Sequence, residues 1–563
     1  MGLSPDLILH SGKIVTVDAA FSVADAVAIY GGRFVAVGQN ATVRAMAGPS
    51  TRMIDLGGRC VVPGLMDNHV HFLLAGLDAP EVGAKVNIAT LQSIDQILGA
   101  IADGAGRAKP GDWIGTSCMY RGALREGRFP NRHDLDRVAP DRPVYIFQSG
   151  KNVIANSYAL RLAGITKDTA DPAEPEGHIV RDDRGEPTGH LIAGAADMAR
   201  KQWWAHLGQP AKKWDFLYFD QETQIRAIEA QTKIYHECGI VGVRDMGVSP
   251  DEMEAYIQAA QQGRLKIRTD VILGLPARYM SIPEITDALK RYFGPQQHLG
   301  SDFLTLGGLK MVVVNDGWWA YSHEKVRAMI EVANSRGWRL NIHINTGGAD
   351  DATELVLSAL ERADAQRAIA GRRFSLEHGF GLFKPDHYQR AKRLGCIIGS
   401  NALLAYYASA RSFHMHKVME QVRIAKMTEV DPWKRTVRDW GLPHRSWHEA
   451  GIMVTGGSDN PAVVYDPDHP LLGLYGSLTN DTLVGRLLPD EAISREQVLR
   501  MYTINNAYAT FQEEARGSIE TGKLADLVVL EDDILTCPDE KIKDLRVGST
   551  IVGGEVVFQR QAG

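Results

Sequence analysis

The chain has 563 residues, 44% hydrophobic and 23% charged, with a formal net charge of -6. This balance is ordinary for a globular protein. Without a block of basic residues it excludes the electrostatic footprint of a nucleic-acid partner. No apolar run is long enough to cross a bilayer, so no membrane partner is expected.

From the N-terminus, MGLSPDLILHSGKIVTVD lacks the basic flank, apolar core and small-residue cleavage site of a secretory signal. The five cysteines, Cys60, Cys118, Cys238, Cys396 and Cys537, lie far apart and form no CxxC pair. Reduced, buried thiols in a cytoplasmic protein fit that spacing better than a disulfide frame or a zinc–thiolate site. LILHSGKIVTVD and VAIYGGRFVAVG read as short strands, with Gly31-Gly32 suited to a hairpin turn. ADLVVLE and STIVGGEVVFQR, near the C-terminus, repeat the pattern around Gly553-Gly554. Neither end has enough strands to bury a sheet alone. Residues 1–62 and 516–563 are therefore expected to pair as one small composite β-sandwich domain, the alternative being two separate hairpins packed on the main body.

Between the ends, strands alternate with helices. Apolar strand cores fall at VVPGLMDNHVHF, IVGVRDM, IRTDVIL, LKMVVV, RLNIHI, FSLEHG, CIIGS and IMVTGGSD. Helical stretches such as HEKVRAMIEVANSRG and DATELVLSALERA separate several of them. Eight strands in series imply an α/β fold, a (β/α)8 TIM barrel over residues 63–515, with its active site at the carboxyl ends of the strands. The long segment between the first and second strands, about 73–235, has strand-like runs of its own (DWIGTSCMY, RPVYIFQSG) and reads as an insertion over the barrel mouth.

Four of the 18 histidines fall at barrel strand ends: His69 and His71 on the first, His343 on the fifth and His378 on the sixth. Asp459 ends the eighth. One such histidine alone would read as a hydrogen-bonded core residue; four, with an aspartate, read as a site. Neutral imidazoles and a carboxylate suit a divalent ion that keeps an open position for water and lowers its pKa to ~7. Asp459 would orient that water, take its proton and pass it to the leaving group. Lys310, in the apolar fourth strand, is a further candidate ligand if carboxylated by CO2; pairing with a carboxylate such as Asp316 is the alternative.

These segments, in this order, resemble the metal-dependent amidohydrolase superfamily, in the branch of long amidohydrolases that includes N-substituted formamide deformylase. The resemblance runs from GGRCVVPGLMDNHVHF through GIVGVRDMG, LKMVVVNDG, LNIHINTGGADDATELVLSALE, LEHGFGLF and GIMVTGGSDNP to TINNAYATFQEEARGSIETGKLADLVVL. It implies His69, His71, His343 and His378 as metal ligands, Asp459 as acid/base and metal contact, and Lys310 as a carboxylated bridging ligand. It further implies one or two divalent ions, zinc by default with manganese, iron or cobalt open, hydrolysis of a C–N bond in a small amide-type substrate, and a homo-oligomer, often a dimer.

Three departures from the family pattern fall where substrate is expected. Lys151 replaces a usual histidine in SGKNVIANS and is also a rival for the bridging lysine. Ala193 and Gly194 stand where a glutamate often follows PTGxL, and Asn401 stands in place of a glutamine. Trp318-Trp319 and Tyr406-Tyr407 follow the fourth and seventh strands and could line a pocket or simply pack loops. A deaminase of the same superfamily commonly needs a glutamate three residues after the fifth-strand histidine; His343 is followed by Ile344, Asn345 and Thr346. A non-catalytic scaffold should have lost ligands, yet all are present.

Overall fold

The computed structural model describes residues 4–83, 85–109, 111–120, 122–149, 152–173, 176–208, 219–291, 300–315, 318–344, 350–380, 384–415, 431–461 and 469–561. All eight expected barrel strands form: Leu65–Val70, Ile240–Val248, Arg268–Gly274, Leu304–Asn315, Leu340–Ile344, Ser375–His378, Ile397–Ser400 and Met453–Gly456. Each pairs in parallel with the next, from first to eighth. Runs such as IVGVRDMGV are buried at every position, as expected of strands covered on both faces.

The ring is drawn together by contacts between the first strand and the residues around the end of the eighth. Asp459 N donates to His69 O and His71 N to Asn460 O, both at 2.7 Å, and Asn68 Nδ2 donates to Thr455 Oγ1 at 2.8 Å. Outside the strands, helices His323–Ser335 and Asp350–Gln366 bury Met329, Ile330, Val356 and Leu360 against Ile342 and Leu376 in one apolar cluster. Each such side chain removed from water stabilises by roughly 1.5–3 kcal/mol.

Two sheets lie at the chain ends. One has four strands, all N-terminal: Arg33–Gly38, Ala26–Tyr30, Leu7–His10 and Arg52–Asp55. The other has six and mixes the termini, with Leu527–Leu530 antiparallel to Cys60–Pro63. Val27, Phe34 and Leu9 of the first pack with Val61, Leu527 and Ile551 of the second. The expected hairpins form at Gly31-Gly32 and Gly553-Gly554, all four glycines at positive φ. Leu7–His10 and Lys13–Val15, adjacent in sequence, enter different sheets.

The segment after the first strand forms its own five-stranded sheet, in the order Gly177–Arg181, Pro187–Ala193, Asn152–Ala155, Val144–Ser149 and Ile114–Cys118. Helix Gln221–Glu237 then packs on helix Phe72–Leu77 and the second barrel strand, returning the chain to the barrel.

Candidate metal centre

The first strand ends on His69 and His71, and two acceptors fix their rings. His69 Nδ1 lies 2.7 Å from Glu377 Oε2, and His71 Nδ1 lies 2.7 Å from the Met246 carbonyl oxygen. A carboxylate and a carbonyl can only accept, so each Nδ1 carries the proton and each Nε2 keeps its lone pair. The two Nε2 atoms converge on Asp459 Oδ1, 3.5 Å from each. Two ligands about 2.1 Å from one ion at a near-tetrahedral angle stand about 3.4 Å apart, so the spacing suits a divalent cation.

The other candidates close the same space. Lys310 Nζ donates to His69 Nε2 at 2.9 Å. His378 Nε2 and His343 Nδ1 are 2.6 Å apart, and the His378 ring centroid lies 4.6 Å from that of His69. His378 Nδ1 is buried with no hydrogen-bond partner among the described residues. Both His378 and Asp459 adopt positive φ, 79° and 59°, uncommon for residues with side chains. Strain of this kind gathers at functional sites, and here it falls at the ends of the sixth and eighth strands.

Burial sets the protonation states. It pushes His378 down to about 3, aided by the neighbouring His69 ring, and also lowers His69, together with the Lys310 charge. Both rings are thereby held neutral, the ligating form. Burial pushes the Lys310 ammonium down to about 8 against the pull of Glu377 and Asp459. For Asp459 burial acts in the raising direction, but the facing His71, His69 and His378 rings outweigh it and hold the carboxyl well below its ordinary range. Glu377 follows the same logic: burial opposes ionisation, while His69, Arg244 and Lys310 hold it ionised.

Beneath the rim lies a buried polar layer. Arg244 Nη1 lies 3.7 Å from Glu377 Oε1, and Arg244 Nε lies 3.5 Å from Asp270 Oδ2, to which Arg339 Nη2 comes within 3.3 Å. Asp67 braces the rim from the other side of the first strand. It accepts from Ser458 N at 2.9 Å, Ser458 Oγ at 2.6 Å and His69 N at 3.2 Å. Sequence reasoning missed Glu377, Asp67 and Arg244. Their signal was present: each is a charged residue inside a segment that reads as a buried barrel strand, a costly placement unless paired.

The residues expected to face substrate are placed less uniformly. Lys151 lies outside the described residues, as does Asp316, the alternative partner of Lys310. Asn401 is fully buried at the end of the seventh strand, and neither amide atom has a partner among the described residues. Trp318 and Trp319 fold back antiparallel onto Asn315 and Val314 at the end of the fourth strand. Tyr406 and Tyr407 lie in helix Ala402–His414, where Tyr407 meets Tyr120 edge-on. Ala193 ends the last strand of the inserted sheet at a φ of 48°, and helix Gly194–His206 follows.

The model of the amidohydrolase family matches residues 52–558. The chain is 30% identical over 576 residues to N-substituted formamide deformylase of Arthrobacter pascens, covering 99% of this chain and 98% of that protein. It is 28% identical over 597 residues to Protein LONG AFTER FAR-RED 3 of Arabidopsis thaliana, covering 99% and 92% of the two. In fold it is similar to the crystal structure of an uncharacterized metal-dependent hydrolase from Pyrococcus horikoshii OT3, with a TM-score of 0.66 at 19% identity over 95% of this chain and 99% of that one. The chain belongs to the amidohydrolase family, hydrolytic enzymes acting on non-peptide carbon–nitrogen bonds.

Proposed function

We propose that this protein hydrolyses the C–N bond of a small amide, N-acyl or N-formyl compound, using a divalent cation held by His69, His71, His343, His378, Asp459 and a carboxylated Lys310. One observation carries the reading. His69 and His71 both spend Nδ1–H on an acceptor at 2.7 Å, so that their Nε2 atoms converge 3.5 Å from one carboxylate oxygen. Imidazoles oriented in this way by outer hydrogen bonds are the arrangement metal sites require. We take the ion as zinc, one or two per chain, since imidazole-rich sites favour it.

When bound, the cation acidifies water and polarises the amide carbonyl. The remaining work falls to the chain. Glu377 holds the His69 ring in one tautomer, and the Met246 carbonyl does the same for His71. Asp459, ionised and facing three imidazoles, takes the proton of the attacking water and returns it to the amine that leaves. Asn401, Trp318, Trp319 and Lys151 orient the substrate. The chemistry named in the Arthrobacter relative makes an N-formyl group the first acyl group to test. The five unbridged cysteines, four of them buried, support a reducing cytoplasmic setting, and family resemblance supports a homodimer.

The test is a panel of N-substituted formamides and longer N-acyl amines, assayed for released carboxylate before and after chelation and after returning zinc, manganese or cobalt. The proposal expects turnover that chelation removes and metal restores. Turnover indifferent to chelation, or release of ammonia from a ring in place of a carboxylate, would replace this reading with another.

A further inference from the structure

A cleft of about 560 Å³ lies between the inserted sheet and the loop after the fourth barrel strand. Its walls include Glu176 and His178 from the insertion and Trp318, Trp319, Tyr321 and His323 from the barrel. It opens on the catalytic side. Trp319 pairs with Val314, while His343 pairs with Val312 two residues earlier on the same strand. The register shifts between Val312 and Val314, and Val314 pairs with Ile344, so the cleft wall stands about one strand residue, roughly 3.3 Å, beyond the level of His343.

The walls combine aromatic faces with a carboxylate. The His178 and Trp318 rings lie near-parallel, with centroids 6.4 Å apart, and His323 tilts against Trp319 at 4.4 Å. Asp171, the other acidic residue of the cleft, is already committed: it accepts from Ile179 N and Arg181 Nη1, each at 3.0 Å, and meets His178 Nδ1 at 2.6 Å. Glu176 is half-buried, and its carboxylate has no hydrogen bond or ion pair among the described residues. The Tyr321 ring already carries the Lys325 ammonium, 5.5 Å from its centroid, but an open carboxylate beside the two indoles fits a cation, attracted by the charge and by the ring quadrupoles together.

We propose that this cleft receives a cationic group, an ammonium or its equivalent, at the far end of the amide substrate, with Glu176 as its counter-ion. The inference rests on the C–N hydrolase reading above and narrows its substrate class to amides of amines that carry a second, positively charged group.

Matched probes test it: mono-N-formylhexanediamine, which ends in an ammonium, against N-formylheptylamine, which ends in a methyl group. The metal-loaded wild-type enzyme should favour the ammonium probe by about tenfold in kcat/KM, the scale of one charge-assisted contact. Glu176→Gln should abolish that preference while leaving N-formylheptylamine turnover within about twofold, since among the described residues Glu176 makes no side-chain bond to the metal centre. Calorimetric binding of hexanediamine and heptylamine to both proteins supplies a readout that needs no turnover. A binding preference for the diamine that Glu176→Gln removes supports the cleft assignment even if neither formamide is hydrolysed, an outcome that would overturn the reaction alone. Equal handling of the paired probes by the wild type, a preference for the neutral probe, or a preference that survives Glu176→Gln would overturn the cleft assignment.

Discussion

Glu377 is fully buried, and one of its oxygens is 2.7 Å from His69 Nδ1. Alternation along a strand would send Glu377 and His378 to opposite faces, yet both reach the same centre. The positive φ of His378 is what permits this, turning the chain as the sixth strand ends. Glu377→Gln keeps the shape but removes the charge that orients His69 and offsets the site cations. Loss of such an outer contact typically costs 10–100-fold in metal affinity. The expected outcome for Glu377→Gln is a metal dissociation constant weaker by about that factor, read by competition with a chelating dye, in a protein that still folds. Unchanged affinity would show that His69 needs no carboxylate to hold its tautomer.

At the level of elements, the site depends on how the end of the eighth strand meets the first. A Cβ at Gly457 would stand 2.6 Å from His69 N and 2.9 Å from His69 Cβ, against rigid backbone. Gly457→Ala should force the two strand ends apart at a cost of roughly 1–3 kcal/mol. Because Asp459 N bonds His69 O across this seam, metal occupancy should fall along with thermal stability; a variant as stable and as metal-replete as wild type would contradict this account of the seam. The strands themselves were legible in the sequence because short runs with apolar cores alternate with helical stretches, and their order alone placed His69, His71, His343, His378 and Asp459 on one rim. Glu377, Asp67 and Arg244 were not singled out, because a charged residue in a strand announces a cost without naming its partner. Those partners lie far off in sequence, as with Glu377 and His69. The separation of Leu7–His10 from Lys13–Val15 into two sheets was equally hidden, since a local pattern does not say which sheet a strand joins.

On the scale of the whole molecule, the mixed sheet is fastened to the barrel by a buried ion pair. Arg268 of the third barrel strand meets Asp526 through two contacts, Nε to Oδ2 at 2.6 Å and Nη2 to Oδ1 at 2.8 Å. Removing one partner strands a buried charge, so Asp526→Ala should lower unfolding free energy by roughly 3–5 kcal/mol, measured by denaturant titration. A loss under 1 kcal/mol, the value of an exposed pair, would show that water reaches Arg268. Acid sensitivity follows from two buried histidines away from the metal centre. Burial lowers His190 from 6.5 to about 3 and His444 from 6.5 to about 3. Below 6.5 the unfolded chain takes up protons that the folded chain refuses, so stability is complete above 6.5 and declines as pH falls toward 3. Each histidine contributes a slope of about 1.4 kcal/mol per pH unit within that window. Denaturation midpoints should stay level from pH 7.5 to 6.5 and fall steadily as pH drops below 6.5 toward 4.5, more shallowly in His444→Gln; a profile that stays flat below 6.5 would place those rings in contact with water. The central claim is that four strand-end histidines, Lys310 and Asp459 hold a metal that performs the hydrolysis. Its most direct measurement is elemental analysis of purified wild type and His343→Ala, alongside formate release from an N-substituted formamide. The account predicts one to two divalent ions per chain in the wild type, and loss of metal and turnover together in the variant. A metal-free wild type that still releases formate, or a variant that keeps full activity, would contradict it.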